Sequence, residues 1–286
     1  MDTIGSARAW AAQELRQAGV EAAALTADLL LGHVLGWHRV QVLSRFEVPL
    51  RAEAMERLKE LVQRRMQGEP LQYLTGEQEF YGLRFRVTPH VLIPRPETEI
   101  LVERAVSLAR GRSGQPVRFA DVGTGSGCIA VAFAYQVPGS LGSAVDVSVP
   151  ALAIARENAT RHGVLDRILF LCCDLMTGFP PGPLFDFILS NPPYVARTEY
   201  NTLPGMVSEH EPHLALFAGE SGLDVFHRLI PQAAERLVPG GYLLVEVGIE
   251  QAEAVTQMVL QEKIAVESLV NDLRGIPRCI VARKRV

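Results

Sequence analysis

The run Asn191-Pro192-Pro193-Tyr194 has the residue types that say most about chemistry. Two successive prolines remove two backbone N–H donors and leave the Asn191 amide, nearby backbone carbonyls and the face of Tyr194. Such a set accepts hydrogen bonds and packs on a flat surface, so it suits a planar group bearing N–H bonds: a carboxamide or an exocyclic base amine. As a purely structural element the same run is a rigid turn closing a strand.

A second group of residues is acidic and glycine-rich. Asp121 precedes Gly123-Thr124-Gly125-Ser126-Gly127, and Asp146 and Asp174 follow at the ends of later apolar runs. The glycines permit a tight turn and close approach of a ligand to the backbone. A dinucleotide loop would place glycine where Cys128 stands, and no phosphate-binding lysine follows, so NAD, FAD and ATP fit poorly. A nucleoside cofactor without a diphosphate fits better. Asp146 can accept from both ribose hydroxyls, Asp121 can lie near the cationic methionine portion of S-adenosylmethionine, and Asp174 can approach the adenine amino group.

These residues need a scaffold, and the apolar patterning supplies one. Short apolar runs at Val117–Val122, Leu141–Val147, Ile168–Cys172, Phe185–Ser190, Gly241–Val247, Ala265–Val270 and Arg278–Arg285 read as seven strands. Helical periodicity fills most of the gaps: Pro96 through Leu108, a stretch from near Cys128, Pro150–His162, Ser221–Leu237 and Gln251–Val259. Alternating strands and helices predict a mostly parallel α/β sheet, with the glycine run and Asn191-Pro192-Pro193-Tyr194 at carboxyl ends of strands, where open sheets bind ligands. Only Asn271–Pro277 separates the last two strands, too short for a helical crossover, so the final strand should run antiparallel. That arrangement is Rossmann-like and belongs to methyltransferases rather than dehydrogenases.

Ahead of the sheet, apolar residues recur at helical spacing from Ser6 to Leu35, interrupted at Gly19, and again from Arg51 to Gln67. The reading is a helical bundle over 1–75, a hairpin linker over 76–90 built on Phe80, Tyr81, Gly82, Leu83 and Phe85, and a catalytic domain over 91–286. Between hairpin and sheet lies Ile93-Pro94-Arg95-Pro96-Glu97-Thr98-Glu99, a capped helix start whose Arg95 and Glu97 could also rim a pocket.

Composition bounds the function classes. With 28 Lys+Arg against 32 Asp+Glu and a net charge of -4, the chain lacks the basic surface of a nonspecific nucleic-acid binder. Four cysteines without CxxC or Cys/His ligand spacing read as free thiols with no metal site. The first residues lack a basic segment followed by an apolar one, and no apolar run reaches spanning length, so a cytoplasmic protein without membrane contact is expected.

Taken together, these motifs resemble the N5-glutamine methyltransferases of peptide chain release factors. The resemblance extends over Phe80-Tyr81-Gly82, Ile93 to Glu99, Asp121 to Gly127, Asp146 and Asn191 to Tyr194. It also takes in Glu209-His210-Glu211-Pro212, Leu216 to Leu223 and Asp272-Leu273-Arg274-Gly275. Asn-Pro-Pro-Tyr alone is shared with other amino methyltransferases, whereas the segment Ile93 to Glu99 ahead of the glycine run is far more specific. The resemblance implies methyl transfer from S-adenosylmethionine, with S-adenosylhomocysteine as product, to the glutamine amide of the GGQ loop of class 1 release factors. On that view Asn191, Pro192 and Tyr194 are catalytic. Asp121, Gly123, Thr124, Gly125, Gly127, Asp146, Asp174 and Asn191 hold the cofactor. Asn191 through Tyr194, with Arg95 and Glu97, meet the substrate, and the bundle contacts the partner. The alternatives are an adenine-N6 methyltransferase of DNA or RNA, which the acidic charge balance disfavours, and a factor-binding adaptor, which would have no need of the whole motif set.

Overall fold

The computed structural model describes residues 3–111, 116–202 and 205–285. Residues 1, 2 and 286, at the ends of the expected domains, lie outside that range. The described chain forms two compact units, 3–77 with 205–210, and 78–202 with 211–285.

The first unit contains α1 (Ile4–Gln17), α2 (Ala23–Leu35), α3 (Arg39–Ser44), α4 (Ala52–Met66) and α5 (Leu71–Thr75). Thr3 and Ser6 form a capping box that starts α1, and Gly36 ends α2 in the left-handed conformation. Leu15, Leu30, Leu31, Val42 and Leu58 are fully buried between these helices. Asp28 is buried among them too, and its charge is matched by Arg8 at 2.5 Å and Arg39 at 2.9 Å. The periodicity revealed α1, α2 and α4. The short α3 and α5 escaped it because five or six residues do not complete a repeat. A further short helix of this unit, Gly205–His210, lies far along the chain, and a side chain on Gly68 would come 3.4 Å from the His210 ring.

The second unit begins with the hairpin of β1 (Glu77–Phe80) and β2 (Leu83–Arg86), turned at Tyr81 and Gly82, both with positive φ. Expected as a linker, the hairpin instead contributes Phe80 and Phe85 to the core of the sheet domain. After it come α6 (Thr98–Arg110), β3 (Arg118–Val122), α7 (Cys128–Gln136), β4 (Leu141–Asp146), α8 (Val149–Arg161), β5 (Ile168–Cys172) and β6 (Phe185–Ser190). The chain then passes through the short α9 (Gly205–His210) to α10 (Asp224–Arg236), β7 (Leu237–Glu246), α11 (Ala252–Gln261), β8 (Ile264–Asn271) and β9 (Pro277–Lys284).

The seven-stranded sheet has the order β5-β4-β3-β6-β7-β9-β8, and β9 is antiparallel to both its neighbours, as the short final connection requires. β7 begins earlier than its apolar run predicts, because Leu237 pairs with Phe185 across a register shift. Alternation decides which residues face which layer. Phe119, Phe187 and Leu189 point to the core shared with α6 and α7, while Ala120, Val122 and Ile188 point to the core shared with α10 and α11. Phe119, Phe133 and Phe187 interlock on the first side at centroid distances of 4.8 and 5.7 Å. Burial of each such ring is worth roughly 1.5–3 kcal/mol, so the sheet is a stiff platform for whatever its loops carry.

The strand order reverses at β3, which has β4 on one side and β6 on the other. An open parallel sheet has its crevice at that reversal, outside the carboxyl ends. The loop after β3 is the glycine run and the loop after β6 is Asn191-Pro192-Pro193-Tyr194, so topology brings the two chemical sets together.

Candidate active site

A cavity of about 600 Å³ opens at this crevice, within the size range of small-molecule sites. Gly123, Gly125, Asp146, Asp174, Asn191 and Pro193 line it, with apolar walls from Val145, Val147, Leu175, Leu214 and Phe217. Asp121, Thr124, Gly127, Pro192, Tyr194, Arg95 and Glu97 are not among its walls.

Asp121 is instead the buried foundation of the glycine loop. One carboxylate oxygen accepts from Thr124 Oγ1 at 2.6 Å and from the Ala130 amide at 3.0 Å, and the other has no partner. Burial pushes this carboxyl up to about 7, against the opposing effect of those two hydrogen bonds. Gly127 has φ +80, and a Cβ there would meet Ala155 of α8 at 3.0 Å, so this glycine serves helix packing. Gly125 has open space before it and lines the cavity, so its backbone is unobstructed. Asp146 accepts the Gly125 amide and the Ser148 amide, each at 2.9 Å and each on a different oxygen. A carboxylate has roughly four lone-pair sites, so Asp146 keeps acceptor capacity for a ligand. Burial raises the Asp146 carboxyl, while amide hydrogen bonds from Ser148, Gly125 and Val147 oppose the shift. Asp174 pairs at the cavity rim with Arg228, both about half exposed.

Asn191 follows β6, whose end is tied to β3 by the Ser190 hydroxyl donating to the Val122 carbonyl at 2.7 Å. The Asn191 amide donates through Nδ2 to Thr98 Oγ1 at 3.0 Å, leaving Oδ1 as the acceptor. Pro192 is buried. Tyr194 is fastened at both ends: its carbonyl accepts from Gln251 at 2.8 Å and its hydroxyl faces Glu246 at 3.4 Å. Burial raises the Tyr194 phenol, and the Glu246 charge adds to that. Beyond Tyr194, Val195 exchanges backbone hydrogen bonds with Leu216 and Ala218, which brings the 212–219 segment to the cavity wall.

Several residues take structural roles that no local sequence pattern shows. Glu211, almost wholly buried, accepts from Arg95 at 2.5 Å and from the Ile93 amide at 3.2 Å, so it braces the segment ahead of α6. Arg95 is thus engaged with a structural partner, and Glu97 is the cap residue of α6. Asn158, fully buried on α8, bridges the Ser126 carbonyl of the glycine loop to both backbone groups of Arg86. Glu246 at the end of β7 is 2% exposed; burial raises its carboxyl to about 7, opposed first by a hydrogen bond from Thr98. The available signal was an acid closing an apolar strand, as at Asp121 and Asp146, and Thr98 stood unread inside the specific Ile93 to Glu99 run.

The sheet order, the glycine loop over a buried acid and the cavity-lining Asp146 define a class I S-adenosylmethionine-dependent methyltransferase. Residues 98–272 match the model of the methyltransferase small domain, and residues 6–76 match that of the PrmC N-terminal domain. A release factor glutamine methyltransferase of Bradyrhizobium diazoefficiens is 43% identical over 99% of this chain and 95% of its own. One of Koribacter versatilis is 43% identical over 96% of each. Among solved structures, a ribosomal protein L11 methylase of Lactobacillus delbrueckii shares the fold, with TM-score 0.51 and 20% identity over 71% of this chain and 86% of that one. The chain belongs to the release factor glutamine methyltransferase family. Among the described residues no helix is long and apolar enough to cross a membrane.

Proposed function

We propose that the chain transfers a methyl group from S-adenosylmethionine to the side-chain amide nitrogen of the glutamine in the GGQ loop of class 1 peptide chain release factors. The observation that carries this reading is Asn191, which lines the same cavity as Gly125 and Asp146 with its amide nitrogen already engaged by Thr98. Its Oδ1 is therefore the group on offer, and an acceptor is what a carboxamide N–H requires.

The residues fit the cofactor. Asp146 has lone pairs left for the ribose hydroxyls, the unobstructed backbone at Gly125 admits close approach, and Asp174 stands at the rim for the adenine amino group. S-adenosylmethionine, when bound, supplies an electrophilic methyl on a sulfonium centre. Asp121 serves indirectly by holding the loop through Thr124 and Ala130.

On the acceptor side, Asn191 Oδ1 and the Pro192 carbonyl take the two amide N–H bonds and turn the nitrogen's out-of-plane electron density toward the methyl donor. Their dipoles increase electron density on a poor nucleophile, and the proton released leaves along the same acceptors to water. Tyr194, anchored by Gln251 and Glu246, holds this loop in place beside Pro193 and limits rotation of the amide. Arg95 and Glu97 act at the substrate side by way of the braced segment ahead of α6, and the helical unit 3–77 recognises the partner's body. A translation factor as substrate places the chain in the cytoplasm, without stable nucleic-acid or membrane partners.

The test offers labelled S-adenosylmethionine with a purified release factor, with the same factor lacking the GGQ glutamine, and with unmodified DNA and RNA. Label is expected in the intact factor alone. Label in DNA or RNA and none in the factor overturns the reading.

A further inference from the structure

We infer that Gln251, at the start of α11, is a positioning residue that joins two walls of the cavity into one body and so fixes where the Asn191 to Tyr194 loop stands during transfer. The inference rests on the proposed role of that loop as holder of the substrate amide.

A primary amide offers two N–H donors and one carbonyl oxygen, and Gln251 uses them toward three loops. Its Nε2 donates to the Tyr194 carbonyl at 2.8 Å and, over a longer 3.4 Å, to the Gly222 carbonyl, while its Oε1 accepts from the Gly248 amide at 3.0 Å. These loops follow β6, precede α10 and follow β7. The Gly248 contact, returned by the Gln251 amide donating to the Gly248 carbonyl at 3.3 Å, belongs to the start of α11. The Nε2 contacts do nothing for that helix. They reach 57 and 29 positions back along the chain, to backbone that other elements carry.

Two buried glycines make room for the arrangement. A Cβ on Gly222 would stand 2.4 Å from the Tyr194 carbonyl oxygen and 2.8 Å from Gln251 Nε2. A Cβ on Gly248 would stand 2.7 Å from Gln251 Oε1 and 3.0 Å from Tyr194 Cδ2. Tyr194 is therefore held between two bare stretches of backbone, closer than any side chain would allow.

Neither Gln251 nor Tyr194 lines the cavity, yet the segments they join do. Asn191 and Pro193 stand on the wall just ahead of Tyr194, and Ala218, Gly219, Asp224 and Val225 stand on it to either side of Gly222. Beyond Tyr194 the same segments run together. The Val195 amide donates to the Leu216 carbonyl, the Ala218 amide to Val195 and the Arg197 amide to Gly219, all at 2.9–3.0 Å. Gln251 extends that junction to Tyr194 itself and ties it to the end of β7. Alignment of a weak nucleophile tolerates little play, since a misplacement of about 1 Å costs on the order of 100-fold in rate.

The experiment uses the full chain. Gln251→Leu removes all three side-chain contacts, and Gln251→Glu keeps the Gly248 contact but sets an oxygen against two carbonyls. In the free protein, hydrogen exchange followed by mass spectrometry should quicken together over 194–200 and 215–222, about 10-fold or more, as expected when a local opening becomes easier. With a release factor and saturating cofactor, kcat should fall about 10- to 100-fold, while KM for the factor stays within about threefold. Gly222→Ala strikes the same junction, so combined with Gln251→Leu it should lower kcat little beyond the worse single variant. Gln251→Glu carries the test if Gln251→Leu does not fold. Wild-type kcat in the variants overturns the inference, as does quickened exchange confined to 247–252, which would make Gln251 a helix-start residue only. A wild-type chain that leaves the factor unlabelled overturns the methyl-transfer reading, and the role of the junction in transfer with it.

Discussion

At the ends of β3 and β4, the polar side chains of the crevice are fixed mainly by backbone amides. Asp146 takes those of Gly125 and Ser148, and Asp121 takes that of Ala130 together with the Thr124 hydroxyl. At the ends of β6 and β7 the corresponding groups are held by side chains from elsewhere, Asn191 by Thr98 and Glu246 by Tyr194. Backbone donors survive almost any substitution at their own positions, so the first half of the crevice depends on conformation. The second half depends on identity, because each of these contacts is lost with the side chain that makes it. A half-site of the first kind suits a cofactor that never changes; one of the second kind suits aligning an amide whose two faces must be told apart.

Asn191→Ala tests the identity-dependent half most severely. Label transfer should drop about 1000-fold, the scale of a lost orienting acceptor, while calorimetry finds cofactor affinity within a few fold. Full activity would remove the amide clamp from the comparison. Asp146→Ala addresses the other half: cofactor affinity should weaken about 10- to 100-fold by calorimetry, the worth of charged hydrogen bonds to two hydroxyls. Equal loss of transfer at saturating cofactor would blur the distinction between the halves.

Gly127→Ala strikes conformation alone. With φ +80 and Ala155 only 3.0 Å from the new Cβ, it should cost about 1–2 kcal/mol in thermal or denaturant unfolding. An unchanged midpoint would mean that the glycine loop tolerates what its geometry forbids.

Glu246 gives a subtler effect through pH. Its carboxyl is raised in the folded chain to about 7, so the folded state holds a proton that the unfolded state has released at lower pH. Stability should then decline as pH rises from the ordinary carboxylate range through about 7. Glu246→Gln should melt higher than the parent at alkaline pH, with the difference shrinking in acid. A constant offset at every pH contradicts the assignment. Smallest of all, Arg228→Ala should alter cofactor affinity no more than about threefold, since its pair with Asp174 is half exposed and such pairs are worth about 0–1 kcal/mol.

Much of this was legible before any coordinates. The seven strands, the antiparallel last one and the class of cofactor followed from runs such as Phe185–Ser190 and from Gly123 to Gly127, because alternation, turn chemistry and loop length are local properties. The site was legible unevenly. Asp146, Asp174, Gly123, Gly125, Asn191 and Pro193 meet in one cavity, whereas Asp121 and Gly127 support the loop from beneath and Arg95 is bound to Glu211. An acid ahead of a glycine run looks the same in sequence whether it faces a ligand or the loop's own amides.

The sequence by itself determined which chemistry the chain can hold: an amide, free carbonyls and an aromatic face beside two prolines that lack backbone donors at Asn191 to Tyr194, glycine backbone with acids at the ends of β3 and β4, and a sheet to carry them. Tertiary structure alone decided how those groups are aimed. Asn191 and Thr98 are 93 positions apart, and Tyr194 and Glu246 are 52 apart. Only the stacking of α6 and the adjacency of β6 and β7 bring them within reach, and a hydrogen bond made by folding over such distances leaves no periodic trace along the chain.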